Sequence, residues 1–166
     1  PVSIGWVGLT LAFGSTDEVH NTNYLQAAKS NLQALTGTDI QLAITHLAMD
    51  QDLKLAAQSV NPHAIFGGHE HINYASHSGN TPIFKADANA RTVYEHLLYW
   101  YPACQQLDIV SHLIEINPLI EQEPETKSVI DSWLSFRDSA LIEQGFTPDE
   151  VIYNTTEQLD ATERSI

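Results

Sequence analysis

Apolar positions follow two regimes along the chain. "VSIGWVGLTLAF" opens as a mostly apolar run, the pattern of a strand buried on both faces. After the polar "GSTDEVHNT", residues 21–35 carry Tyr24, Ala27, Ala28, Leu32 and Leu35 near helical spacing, and "TGTD" closes that segment. "IQLAITHLA" predicts a second strand, finishing in Thr45-His46. Residues 50–60 predict a second helix, with Asp50 or Asp52 placed to cap its start. Asn61-Pro62-His63 breaks it, and "AIFGG" is a third short strand. Strand–helix–strand–helix–strand over residues 2–66 is the pattern of a parallel α/β layer.

Beyond His71 the rhythm changes. "INYAS", "TPIFKA", "TVYEHLLYWY" and "QQLDIVSHLIEIN" read as successive strands joined by short turn signals, which predicts an antiparallel meander. Residues 123–144 predict a long helix with Val129, Ile130, Trp133, Leu134, Phe136, Leu141 and Ile142 as its apolar positions, stopped at Gly145. The remaining tail turns polar, and no internal repeat interrupts the order.

Composition narrows the field. A chain of 166 residues suits one domain with an ordinary core. Its 21 acids against 7 bases give a net charge of -14, a surface that repels nucleic-acid backbones and anionic membranes. An anionic substrate is still admissible, because a bound metal reverses the sign locally. Cys104 is the only cysteine, so neither an internal disulfide nor a cysteine-based zinc site is available. No apolar run approaches the ~18 residues of a membrane span. The chain begins at Pro1 and runs straight into a strand, so an earlier segment or leader is expected to precede it.

The chemistry concentrates in "IFGGHEHINY". Open α/β sheets bind ligands at the carboxyl ends of their strands. His46 closes the second strand, while His69 and His71 follow the third. On parallel neighbours the three imidazoles would converge, and in an extended segment His69 and His71 would share a side across Glu70. Imidazole suits zinc, manganese or iron. The competing reading is a pair of polar loop residues that happen to be close. His20 and His77 read as residues of polar loops, His63 as a solvated turn residue, and His96 and His112 as strand residues. Asp50 and Asp52 are tempting as carboxylate ligands, though capping explains at least one of them. Asp87 and Asn89 are candidates to support such a site from behind. Lys85 and Arg91 stand out where bases are scarce, with a structural ion pair favoured over an anion contact. Trp6, Tyr99, Trp100 and Tyr101 read as core or sheet-face aromatics. No phosphate-binding glycine loop, nucleophile elbow or dinucleotide turn occurs.

These residues match a pattern. "AITHLAMDQDLKLAAQ…NPHAIFGGHEHINYASHSGNTPIFKADANAR" resembles the second half of a calcineurin-like metallophosphoesterase domain, in its 5′-nucleotidase and 2′,3′-cyclic phosphodiesterase branch. The resemblance is carried by Thr45-His46-Leu47-Ala48, the acidic helix start from Asp50, Gly67 to His71, and Gly79 to Ala86. "VSIGWVGLT" resembles the preceding strand, and "TTEQLDATERSI" the entry to a linker before a second, substrate-gripping domain.

That resemblance implies an α/β fold: the second half of a four-layer α/β/β/α sandwich over residues 1–160, ending in a helix, with the linker starting at 161–166. It implies two divalent ions (zinc, manganese or iron), with His46 and His69 on one and His71 on the other. It also implies a nucleotide or other phosphoester as substrate, and a periplasmic or extracellular setting, since members are often exported. The pattern's first-half motifs, Asp-x-His, Gly-Asp and Gly-Asn-His-Glu/Asp, do not occur here. No catalytic residue is therefore assigned, and a site would need the N-terminal half of the domain, in cis or as a separate chain. The chain alone is expected to be inactive and to leave apolar surface uncovered. Two rivals stand beside a 5′-nucleotidase: a non-catalytic binding module with one structural ion or none, and a phosphodiesterase acting on cyclic nucleotides.

Overall fold

The computed structural model describes residues 1–14, 16–151 and 153–156. They fall into two compact units, Pro1–Pro118 and Leu119–Ile166. In the first, five strands make one sheet: β1 (Ile4–Thr10), β2 (Ile40–His46), β3 (Ala64–Gly67), β4 (Tyr74–Ser78) and β5 (Thr81–Lys85). Their order is β1-β2-β3-β5-β4. β1, β2, β3 and β5 run parallel, and β4 closes one edge antiparallel to β5. Helices α1 (Tyr24–Ala34) and α2 (Met49–Ala56) supply the crossovers. Strands β6 (Thr92–Tyr101) and β7 (Gln106–Glu115) form a separate two-stranded antiparallel sheet.

Strand alternation explains the layering. Val7, Leu9, Ala43, Ile65 and Ile83 turn to one face, where Ala28 and Leu32 of α1 and Leu55 and Ala56 of α2 pack on them. Ile40, Leu42, Ala64 and Phe66 turn to the other, against Leu98 and Trp100 of β6 and Leu107 and Ile109 of β7. Helices, large sheet and small sheet thus make successive layers. An α/β domain with two sheets is what the resemblance implied, and this arrangement corresponds to part of an α/β/β/α sandwich.

Three local expectations change. β1 is not buried on both faces: Val7 and Leu9 are buried, but Ile4, Trp6 and Thr10 are exposed. β1 is the sheet's edge, and its second face lacks a covering layer. Ile44 on β2 is left open on that same face, 55% exposed beside Trp6 at 51%. The strands after His71 do not form one meander. β5 inserts beside β3 in the large sheet, because its Ile83 continues the buried row of Ile65. Helix α2 starts one residue earlier than its acids suggested. Its N-cap is Ala48, whose N–H donates to the Gln51 side chain at 3.0 Å, so neither Asp50 nor Asp52 caps it. Asp50 instead pairs with Lys54 one turn on.

In the second unit, α3 (Pro124–Glu143) matches the long helix expected there. Its cap is the Glu123 carboxylate, which accepts from the N–H groups of Glu125 at 3.0 Å and Thr126 at 2.6 Å. Those bonds hold the Glu123 pKa below its usual range. Gly145, at φ 86°, makes the stop. The expected linker start at residues 161–166 lies outside the described residues.

Candidate metal centre

His46 and His69 stand together. The first is the last residue of β2, the second lies two residues beyond β3, and the two strands are parallel neighbours. Their rings meet edge to face, with centroids 5.3 Å apart. The link that makes this approach is Gly67-Gly68, anchored by the Gly68 N–H donating to the Thr45 carbonyl at 3.0 Å. Gly67 lies so close to its neighbours that a Cβ there would sit 2.7 Å from the Thr45 hydroxyl and 3.0 Å from Lys85 Cε. Only glycine brings the backbone this near.

His71 follows a different path. His69 has φ 93° and His71 φ 63°, so the segment leaves the extended region and strand alternation does not govern where its side chains point. Non-glycine residues held at positive φ cost on the order of 1–3 kcal/mol each, and such strain persists only where the surroundings over-determine it. The His71 carbonyl accepts from the Ala88 N–H and from Arg91, each at 3.2 Å. Among the described residues, no group of three His, Cys, Asp or Glu side chains comes together to hold a metal ion. Two exposed imidazoles at the carboxyl ends of neighbouring strands fit as part of a ligand set, and among the described residues no third donor joins them.

Beneath the loop lies a buried charge network. The Lys85 ammonium, 1% exposed, donates to the Leu47 carbonyl at 2.7 Å and to Glu70 at 2.6 Å, and lies 2.8 Å from Asp52. Glu70 also accepts from the Met49 N–H at the start of α2. Burial pushes the Asp52 carboxyl up, partly offset by Lys85 and the Thr45 hydroxyl. Burial also acts to raise Glu70, but the bonds from Lys85 and from backbone N–H groups, Met49's included, prevail and hold it below its usual value. The ion pair expected of Lys85 is present. Glu70 was overlooked in the sequence; an acid between two histidines, opposite the lysine of the apolar "PIFKA", was the available signal.

Asp87, His63 and His96 have structural roles. Asp87 accepts from Asn73 and from the Thr92 hydroxyl, and these bonds lower its pKa. His63 is not a solvated turn residue: its Nδ1 accepts from the Gln41 N–H at 3.0 Å, and its ring meets Trp100 edge to face. His77 lies on edge strand β4 rather than in a loop. His96 packs among Phe66, Phe84 and Tyr94 and bonds Ser111 at 2.7 Å. A cleft of about 690 Å³ lined by Asn61, His63, Asn80 and Thr81 opens at the strand starts, at the opposite ends of the strands from His46 and His69. A shallower depression of about 400 Å³ borders His46 along Gly8, Thr10 and Ile44.

Parallel strands with histidines at their carboxyl ends, backed by a second sheet, have a counterpart among solved structures. A Staphylococcus aureus protein with a provisional 5′-nucleotidase assignment, crystallised with alpha-ketoglutarate, superposes with a TM-score of 0.53 over 81% of this chain. The chain shares that protein's fold. Sequence identity is 14%, and the chain spans 32% of that structure's length. No family model and no curated protein sequence matches. Among the described residues no helix is long and apolar enough to cross a membrane.

Proposed function

We propose that this chain is part of a dinuclear metal-dependent phosphohydrolase, a 5′-nucleotidase releasing phosphate from nucleoside monophosphates, and that His46, His69 and His71 are its contribution to the metal centre. The observation that carries this reading is the His46–His69 pair at the carboxyl ends of two parallel strands. It occurs in a fold shared with a protein provisionally assigned as a 5′-nucleotidase. Two bound divalent ions (zinc, manganese or iron) would supply a nucleophile at neutral pH and a clamp on phosphate oxygens. The chain's own part is to present imidazoles from the carboxyl ends of the strands, with glycine at 67 letting the loop's backbone close on Thr45 and Lys85. The remaining ligands, a bridging carboxylate above all, would come from the N-terminal half of the domain, in cis or as a second chain. An extracytoplasmic setting accords with this reading.

The missing third donor favours one alternative, a non-catalytic module whose histidines hold one structural ion or none. Hydrolysis of AMP and bis-p-nitrophenyl phosphate, with manganese or zinc, separates the two. We expect turnover by the full-length protein, loss of turnover with His69→Ala or His71→Ala, and silence from this chain alone. A full-length protein indifferent to metal and to both substitutions would establish the binding module. Preference for the diester over AMP would instead point to a phosphodiesterase.

A further inference from the structure

The loop that carries His69 and His71 is bent at both histidines, and Glu70 between them turns the opposite way. Its two carboxylate oxygens are each taken: one by the Met49 N–H of helix α2, the other by Lys85. Lys85 is in turn fixed by the Leu47 carbonyl and by Asp52, which is fully buried on α2. One lysine on β5 therefore ties the end of β2, the start of α2 and the His-Glu-His loop to a single point. A lysine that merely neutralised Asp52 would not need Glu70. An acid that merely solubilised an exposed loop would not be drawn against a buried ammonium. The ring pair that defines the candidate centre, His46 with His69, spans the two segments this point joins.

We infer that Lys85 and Glu70 form a clamp that positions the imidazoles of His69 and His71, making both residues positioning residues for metal binding. The inference builds on the reading of those histidines as ligands. Its mechanical part, that the clamp sets the loop's conformation, stands without any metal.

The test uses the protein with the N-terminal half of its domain present, in cis or added as a second chain, and two readouts. Amide exchange followed at Gly68, whose N–H donates to Thr45, and at Ala88, whose N–H donates to the His71 carbonyl, reports the loop in metal-free protein. Cobalt(II) titration followed by visible absorption reports the imidazoles. Glu70→Ala opens the clamp from the loop side. Lys85→Met alone would strand a buried acid, so Lys85→Met with Asp52→Leu opens it from the core side while keeping the interior neutral. Leu32→Ala on α1 is the control, a core truncation remote from the loop.

Exchange at Gly68 and Ala88 is expected to quicken at least tenfold in both clamp variants and not in the control. Cobalt affinity is expected to fall about 10–100-fold in the clamp variants, the range found for residues that orient ligands from behind. Glu70→Gln, which keeps one acceptor oxygen, should recover part of both. Unchanged loop exchange, an equal effect from Leu32→Ala, or undiminished cobalt affinity in Glu70→Ala would overturn the inference. If the unaltered protein, with its N-terminal half present, takes up no cobalt while loop exchange still responds to the clamp variants, the clamp stands and the ligand reading falls.

Discussion

At the scale of single residues, close approach and burial decide more than chemical type. Gly67 shows this most directly. A methyl group there would press on the Thr45 hydroxyl, Lys85 Cε and the Asp52 carboxylate at 2.7, 3.0 and 3.3 Å, all on buried side chains. Gly67→Ala is therefore expected to cost about 1–3 kcal/mol in urea denaturation. Gly8→Ala, with nothing within 4 Å of the added carbon, should be close to neutral. The glycine pair was legible in the sequence as a turn, but its crowding was not, because the crowding atoms come from β2, α2 and β5. His96 makes a second case. Burial among Phe66, Phe84 and Tyr94 pushes its pKa below the ordinary 6.5. The unfolded chain then takes up a proton near that pH while the folded chain resists until lower pH, so stability falls as pH drops below 6.5. His96→Gln should flatten the loss of stability measured by urea between about pH 7.5 and 5.5; an unaltered slope would mean that other groups carry it.

At the scale of elements, periodicity and turn signals located nearly every helix and strand, and failed where partners decide. Asn23 caps α1 by accepting from the N–H groups of Leu25 and Gln26 at 3.0 and 3.2 Å. Asn23→Ala should cost about 1 kcal/mol, read as a lower denaturation midpoint with unchanged slope. Helix α2 is different, because its acids looked like caps and are used in ion pairs instead. Asp52 is drawn inward by Lys85, a residue 33 positions away, and no local rule could connect them. The same holds for β5. A short hairpin turn after β4 is equally compatible with a meander or with insertion beside β3, and the buried Ile65–Ile83 row chooses the latter. The candidate centre divides along this line. Both strand-end histidine clusters were visible because sheet ligands gather at carboxyl ends, whereas the bent loop of His69 and His71 is held by Met49, Lys85 and Ala88, all distant in sequence.

At the scale of the whole molecule, the open face of β1 and β2 sets solution behaviour. Ile4 and Trp6 on edge strand β1, with Ile44 beside them on β2, form an uncovered apolar patch, and the outer backbone groups of β1 lack a ladder partner in the described sheet. Opposing this, a net charge of -14 keeps copies apart over roughly the Debye length, ~10 Å at 0.1 M salt and ~3 Å at 1 M. The two effects have opposite salt dependence: screening weakens the repulsion, and burial of apolar surface does not need the charges. Sedimentation should therefore show association of this chain rising with salt and with concentration. Trp6→Ser combined with Ile44→Ser leaves the net charge unchanged and should remove most of that association. If the patch is instead the seat of the proposed N-terminal half, adding that half should suppress self-association and rescue metal binding together. Association that weakens as salt rises would mean that contacts between charged groups, and not this face, join the copies.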